Sequence, residues 1–375
     1  RRIKIMRAMN QFLFKPVKLL VFLALMLGAT VSAQDHTDKR SVSKQFPATR
    51  ETTLDVQNKY GKIQVSTWEK DSVSVEVEIY LTESSASKLR KLKEDISIDF
   101  TGTNNYIIAK SKFKSESGRI ASELKSVSHT ISGTNKHVEI NYMVYIPEYL
   151  DVVLSNKFGD IYMDDLSGKV DIELSNGALK ANRLEGNTNI GLSFANGMIK
   201  SLGSCTMKLA YSDLALGEAG QLDLISKSSK LNVDSVNVLN INSRRDKLYF
   251  QRVEYFYGNG NFSQVWVYDF LRESDVYMKY GKLTIEHVIP DFSKIYVESE
   301  YTDVTLYFDV ESVFAFDILH HEKSVLRLPA GQLNAQETTD GKEHYRTTGT
   351  LGSESPAGKV TIDALQKCFI NLSIK

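Results

Sequence analysis

Few residues in this chain stand at spacings that do chemistry. Asp160, Asp164 and Asp165 crowd one short stretch, and carboxylates held together on a β scaffold can divide acid and base work between them. Acidic residues near turns are ordinarily just solvated, and that is the reading favoured here. His320, His321 and Glu322 form a compact group of metal-ligand types. Neighbouring side chains on an extended chain point to opposite faces, which disfavours a shared ion. Phe158, Tyr211, Tyr280 and Tyr301 each precede a small residue. Such rings could form a sugar-stacking strip, or a packed ladder sealing the edge of a stack; the large area that aromatics bury favours the ladder. There is no phosphate-binding loop, Gly-x-Ser-x-Gly elbow, His-Glu-x-x-His pair, Cys-x-x-Cys pair or calcium-binding nonapeptide. No catalytic residue, metal ligand or cofactor is therefore expected.

The aromatic positions belong to a repeated phrase: an aromatic residue or Asn, a small residue, any residue, then a branched apolar one. Phe158-Gly159-Asp160-Ile161, Asn176-Gly177-Ala178-Leu179, Asn196-Gly197-Met198-Ile199 and Tyr211-Ser212-Asp213-Leu214 state it. Ser228 to Leu231, Arg245 to Leu248, Tyr280 to Leu283 and Tyr301 to Val304 continue it, and Tyr60-Gly61-Lys62-Ile63 is an outlying copy upstream. The interval of roughly 15–20 residues is that of one supersecondary unit stacked on its neighbours, each covering the next unit's apolar face. Within units apolar residues alternate, as in Val170/Ile172/Leu174 and Leu231/Val233, which is the strand period. Two short strands with a tight turn are expected in each unit. Gly61, Gly159, Gly177, Gly197 and Gly281 share a column that predicts positive φ; where the column holds Ser, Thr or Asp, a different turn is expected. The fold class is all-β: a β-solenoid-like stack of short strands, of the right-handed β-helix type, with one short helix in its N-terminal part.

The chain has 375 residues, with 46 basic and 46 acidic side chains. That balance removes the electrostatic case for a dedicated nucleic-acid binder. Basic residues up to Lys18, an apolar run from Leu19 to Val31 and the small-x-small site Val31-Ser32-Ala33 read as a signal peptide over 1–33, cleaved between Ala33 and Gln34. No membrane span is expected after cleavage. Residues 34–53 are polar and expected to be flexible. An N-terminal β part follows over 54–148, with a serine-capped helix at 84–94. Lys114 to Asn135 reads as a polar insertion. The repeat proper spans 149–309, with a bulged turn expected where Tyr255 to Phe262 breaks the phrase. Residues 310–375 supply C-terminal strands and a cap, with His320 to Ser355 loop-like. Cys205 and Cys368 lie far apart and no disulfide is predicted; Cys205 alternates with Met207 and Leu209 as a small core residue.

The series Leu54-Asp-Val-Gln-Asn-Lys-Tyr-Gly-Lys-Ile-Gln-Val65, Leu154-Ser-Asn-Lys-Phe-Gly-Asp-Ile161 and Leu174-Ser-Asn-Gly-Ala-Leu179, with the Gly-rich approach to Lys359-Val-Thr-Ile362, resembles the putative-adhesin families of bacterial cell envelopes. These are β-strand repeat domains of unknown function, related to the head domain named for its Gly-Ile-Asn signature. The resemblance implies a right-handed β-solenoid-like stack in the envelope and transfers no catalytic residue. The expected function is that of an exported, non-catalytic protein presenting a rigid β surface for adhesin-like binding or scaffolding. It would act in the periplasm or on the surface of a Gram-negative bacterium, with an envelope protein or glycan as partner and no nucleic acid. A carbohydrate-active enzyme on a β-helix and an accessory factor in envelope-stress signalling are the alternatives.

Overall fold

Asp213 pairs with Lys230, Lys230 with Lys247 and Lys247 with Gln264, all in parallel and each 17 residues on. That step defines the architecture, a parallel β-solenoid. The computed structural model describes residues 35–103, 105–114, 137–330, 333–352 and 355–375. Ala33, Gln34 and the proposed signal peptide lie outside them, as does nearly all of the polar insertion. Among the described residues no helix is long and apolar enough to cross a membrane.

Each turn of the stack is one strand bent in the middle, such as Asn196–Ala210, Asp213–Lys227, Lys230–Arg244 and Lys247–Asn261. In Asp213–Lys227 the first side buries Leu214 and Leu216, the bend buries Ala219, and the second side buries Leu222, Leu224 and Ser226. The period-two alternation thus feeds two facing sides whose apolar rows meet in the middle. One inward column runs Ile63, Ile161, Leu179, Leu214, Leu231, Leu248, Val265, Leu283, Val304 and Ile370, all buried. Cys205 lies in a column of the second side beside Thr188 and Leu222. Burial raises its thiol pKa to about 12, as expected of an inert core residue. It and Cys368 are both free thiols.

Chain order and spatial order part at both ends. Thr53–Gln57 and Ile63–Thr67 pair directly with Asp151–Asn156 and Ile161–Met163. The copy of the phrase that looks outlying in sequence is therefore the adjacent rung: Tyr60 bridges to Phe158. Tyr106–Phe113 and His137–Ile146 close the stack on its other side. Antiparallel strands then cover that end, Ser72–Glu83 on His137–Ile146 and His36–Pro47 on Ser72–Glu83. Residues expected to be flexible are thus an edge strand. Their side chains are mostly polar on both faces, so no alternation announces them. The helix runs Ala86–Asp95, and the Ser85 hydroxyl accepts from the Lys88 N–H.

The other end is built alike. Gly358–Ala364 lies between Lys294–Glu300 and Phe314–His321. The stretch expected to be loop contains the antiparallel strands Leu333–Thr339 and His344–Leu351, layered on Phe314–His321. Tyr255 to Asn261 is also regular: it is the second side of Lys247–Asn261, in register with its neighbours apart from a shift between Val253 and Tyr255.

Candidate functional site

The corner that links successive turns recurs with one backbone geometry from Asn176 to Tyr301, and it carries the outward aromatic rings. Its first residue has a left-handed backbone at Asn176, Phe194, Tyr211, Ser228, Arg245, Phe262, Tyr280 and Tyr301, with φ between 50° and 60°. Every one of these is a non-glycine residue in a conformation that ordinarily disfavours side chains. The second residue is small and turned inward: Gly177, Ala195, Ser212, Ser229, Asp246, Ser263, Gly281, Thr302.

Hydrogen bonds explain the second column. The Ala195 N–H donates to Ser212 Oγ at 3.2 Å, Ser212 N–H to Ser229 Oγ at 3.2 Å, and Ser229 N–H to Asp246 Oδ1 at 2.7 Å. Asp246 N–H donates to Ser263 Oγ at 3.2 Å, and Gly281 N–H to Thr302 Oγ1 at 3.1 Å. Five of the eight corner amides are therefore met by a side-chain oxygen of the next turn. Asp246, only 2% exposed, also accepts from Ser226 Oγ, Ser243 Oγ and the Arg244 N–H at 2.7, 2.7 and 2.8 Å. Four donors offset the desolvation of this carboxylate.

These findings correct the glycine column. Gly61 and Gly159 have φ of 95° and 147°, but Gly177, Gly197 and Gly281 do not have positive φ. The left-handed residue is the aromatic or Asn one step earlier, or Phe194 in the turn read from Asn196-Gly197. Corners with Ser, Asp or Thr have the same left-handed first residue as those at Gly177 and Gly281, contrary to expectation. Gly177 and Gly281 are small for a different reason: a Cβ would lie 2.0 Å from the Gly159 carbonyl oxygen and 2.2 Å from that of Ser263. Gly197 is no corner residue. It faces Leu179 and Leu214 across the first side, and the Leu214 side chain fills its space. A second glycine series was present in the sequence at the same step: Gly168, Gly186, Gly203 and Gly220. At each of these bends a Cβ would meet a carbonyl oxygen of the turn before.

The rings do form ladders. Tyr60 stacks on Phe158 at 5.6 Å, Phe194 on Tyr211 at 5.0 Å, Phe262 on Tyr280 at 5.0 Å and Tyr280 on Tyr301 at 5.1 Å. Phe194 and Phe262 fall outside the repeated phrase, which takes Asn196 two residues after the first and breaks at the second, yet both are corner residues. The ladder is not a sealed edge: Phe194, Tyr211, Phe262, Tyr280 and Tyr301 are 62, 48, 52, 44 and 47% exposed.

The carboxylates of the first stretch do not converge. Asp160 accepts from the Ala178 N–H at 2.8 Å and the Tyr162 hydroxyl at 3.0 Å. Asp165 is bound by Arg183, whose side chain holds its pKa below the usual carboxylate value. Asp164 lies 3.4 Å from the Thr67 N–H. His320 is buried near Thr347 and Glu337, whereas His321 meets Glu343 and the Lys323 N–H, and Glu322 meets Lys323. Among the described residues no group of three or more His, Cys, Asp or Glu could hold a metal ion. Sequence reading overlooked His287, which sits between Asp269 and Asp309 at 2.9 and 3.4 Å. Its signal was the stacking step, since Asp269 and His287 are partners on adjacent turns. The first side also carries an open groove of about 680 Å³, lined by Tyr162, Lys180, Met198, Ala215 and Asn232 among others.

No family model matches the chain, and no curated protein does. Several solved structures are similar to it. One is a putative cell adhesion protein of Clostridium sporogenes, 13% identical over 90% of this chain and 100% of that one, with a TM-score of 0.18. A second is a putative adhesin of Parabacteroides distasonis, 10% identical over 89% of this chain and 98% of that one, with a TM-score of 0.30. A third, from the same organism, is described as a putative lipid binding protein, 8% identical over 89% and 96%, with a TM-score of 0.28. Two of the three bear the adhesin or adhesion names of the families that the motif series resembles. At these identities and scores the likeness decides neither fold nor role, and both rest on the chain's own geometry.

Proposed function

We propose that the chain is an exported, non-catalytic envelope protein whose stack presents a rigid, ligand-binding outer surface, adhesin-like in role. The observation that carries this reading is the corner: one left-handed position repeated turn after turn, bearing exposed rings in register. Side chains fixed to a parallel β stack need little further ordering when they meet a partner, so a regular surface of this kind favours binding. The candidate carboxylates support the non-catalytic half of the reading, because each is occupied by a partner that shapes the fold. Export rests on the basic start, the apolar run and the site at Ala33, and the partner is an envelope protein or a glycan rather than nucleic acid.

The test has two arms. N-terminal sequencing of protein from the envelope fraction should begin at Gln34, and a mature chain that retains Leu19 to Val31 would contradict export by cleavage. A glycan array and a panel of neutral and uronate polysaccharides should show retention without depolymerisation. Turnover that disappears in Asp160→Asn or Asp164→Asn would instead make the chain an enzyme.

A further inference from the structure

The aromatic ladder has a break of two turns, and the break is filled with positive charge. Between Tyr211 and Phe262 the left-handed position holds Ser228 and then Arg245. The residues just before these corners are Lys227 and Arg244, and those just after them are Lys230 and Lys247. Lys227 and Lys230 face Arg244 and Lys247 across one strand spacing. Five exposed cations therefore occupy two adjacent corners. Among the described residues, none of the five has a carboxylate within ion-pair distance. The acid beneath them, Asp246, is buried and saturated by its four donors. One turn beyond the patch on either side, the corresponding flanking positions hold Ala210 and Asp213, and Asn261 and Gln264; cations return a turn further on at Lys279 and Lys282, the first of them paired with Glu300. The chain as a whole is neutral, which makes the concentration local.

The break is bounded by rings. Tyr211 has Phe194 on one face and Phe262 has Tyr280 on one face; the other face of each looks into the gap. Lys227 Nζ sits 5.7 Å from the centre of the Tyr211 ring. The two rings are three strand spacings apart, roughly 14 Å.

We propose that this break is a binding site for an anionic polysaccharide, a chain of pyranose rings bearing carboxylate or sulfate groups. The proposal rests on the reading of the stack as a binding surface and names the ligand class for one part of it. Cations repeated at the strand spacing match a polymer whose charges also repeat along its length. The two inward-looking ring faces suit the apolar faces of sugar rings at the ends of the bound segment. A single-stranded nucleic acid is matched less well, because it needs aromatic platforms interleaved with the charges for successive bases. Here the rings bracket the cations.

Titration of the whole chain with polygalacturonate, heparin, dextran and oligo-dT at two salt concentrations tests the proposal. Polygalacturonate or heparin should bind with an affinity that falls as salt rises, since counterions are released from the patch. Dextran should not bind, and oligo-dT should bind at least tenfold more weakly than the anionic glycan. Lys227→Gln/Arg244→Gln/Arg245→Gln should weaken the glycan at least tenfold. Phe262→Ser, which gives that corner the residue already present at Ser228, should weaken it severalfold while leaving the thermal transition cooperative. Tighter binding of oligo-dT, or no binding of either anionic glycan, overturns the ligand class. Glycan binding that the triple substitution leaves unchanged overturns the site but leaves intact the reading of the stack as a binding surface.

Discussion

At these corners a left-handed backbone carries a full side chain, while the residue after it turns inward and, at Gly177 and Gly281, is held to glycine by the turn beneath. The two positions should respond differently to substitution. Gly177→Val would drive a Cβ into the Gly159 carbonyl and should cost on the order of 1–3 kcal/mol through overpacking. Ala178→Thr, one step along on the outward side, should change denaturant unfolding little. Equal loss in both variants would mean that the close approach is not what limits residue 177. Asp246 makes a sharper case. Asp246→Ala leaves two hydroxyls and two N–H groups without their charged acceptor, and should cost at least about 2 kcal/mol. Asp246→Ser should lose less, because Ser229 and Ser263 fill the same position one turn away on either side. Chemical denaturation of the pair would show whether the ladder prefers an oxygen of any kind or this carboxylate in particular.

The turns themselves show what the sequence could and could not disclose. The spacing of Leu214, Leu231, Leu248 and Val265 announces a stacked β unit, and alternation along each side announces strands. The placement of the left-handed residue was hidden, because Gly177 and Gly281 are glycines for steric reasons that only the neighbouring turn supplies. Likewise His36–Pro47 has no apolar rhythm; it is a strand because Ser72–Glu83 offers it an edge. His287 was invisible for the same reason, since its partners lie 18 and 22 residues away in sequence. Its pKa is raised, chiefly by the hydrogen bond it donates to Asp269 and further by Asp309. A folded pKa above the unfolded value means that this stabilisation is complete below about pH 6.5 and fades as pH rises through the higher folded value. The melting temperature should therefore fall between about pH 6 and pH 8, and His287→Gln should flatten that slope. Asp309 itself has a lowered pKa, from the Glu311 N–H first and His287 after. Its contribution is lost only on acidification below the usual carboxylate range, outside this window.

Across the molecule, antiparallel strands are added at both ends of the parallel stack, although one side of the C-terminal end finishes in the short parallel strand Val325–Arg327 on Phe369–Ile374. An unpaired edge is a template for association. At one end Ser72–Glu83 and His36–Pro47 cover His137–Ile146; at the other His344–Leu351 and Leu333–Thr339 cover Phe314–His321. Replacing Leu333–Leu351 by a short Gly-Ser linker should bare the edge of Phe314–His321. Light scattering should then report dimers or longer assemblies at concentrations where the intact chain remains a single species. A monodisperse truncated chain would show that the cap has no protective role. The caps were legible only as strand-forming stretches at the termini, because which strand lies between which others depends on pairings that cross from 63 to 142 or from 295 to 360 in sequence.

The constant step between Asp213, Lys230, Lys247 and Gln264 also bears on how a gene for such a chain can change length. Excising Asp213–Ser229 joins Ser212 to Lys230, which stands where Asp213 stood, and every inward column continues in phase. An in-frame duplication of the same segment does so equally. Removal of one residue more or fewer would turn the alternation inside out beyond the junction. The variant lacking Asp213–Ser229 should fold with a cooperative melt and a β-type circular dichroism spectrum, whereas the one lacking Asp213–Ser228 should not. Length in this architecture is therefore inherited in whole turns, and a lineage can adjust its reach without redesigning its core.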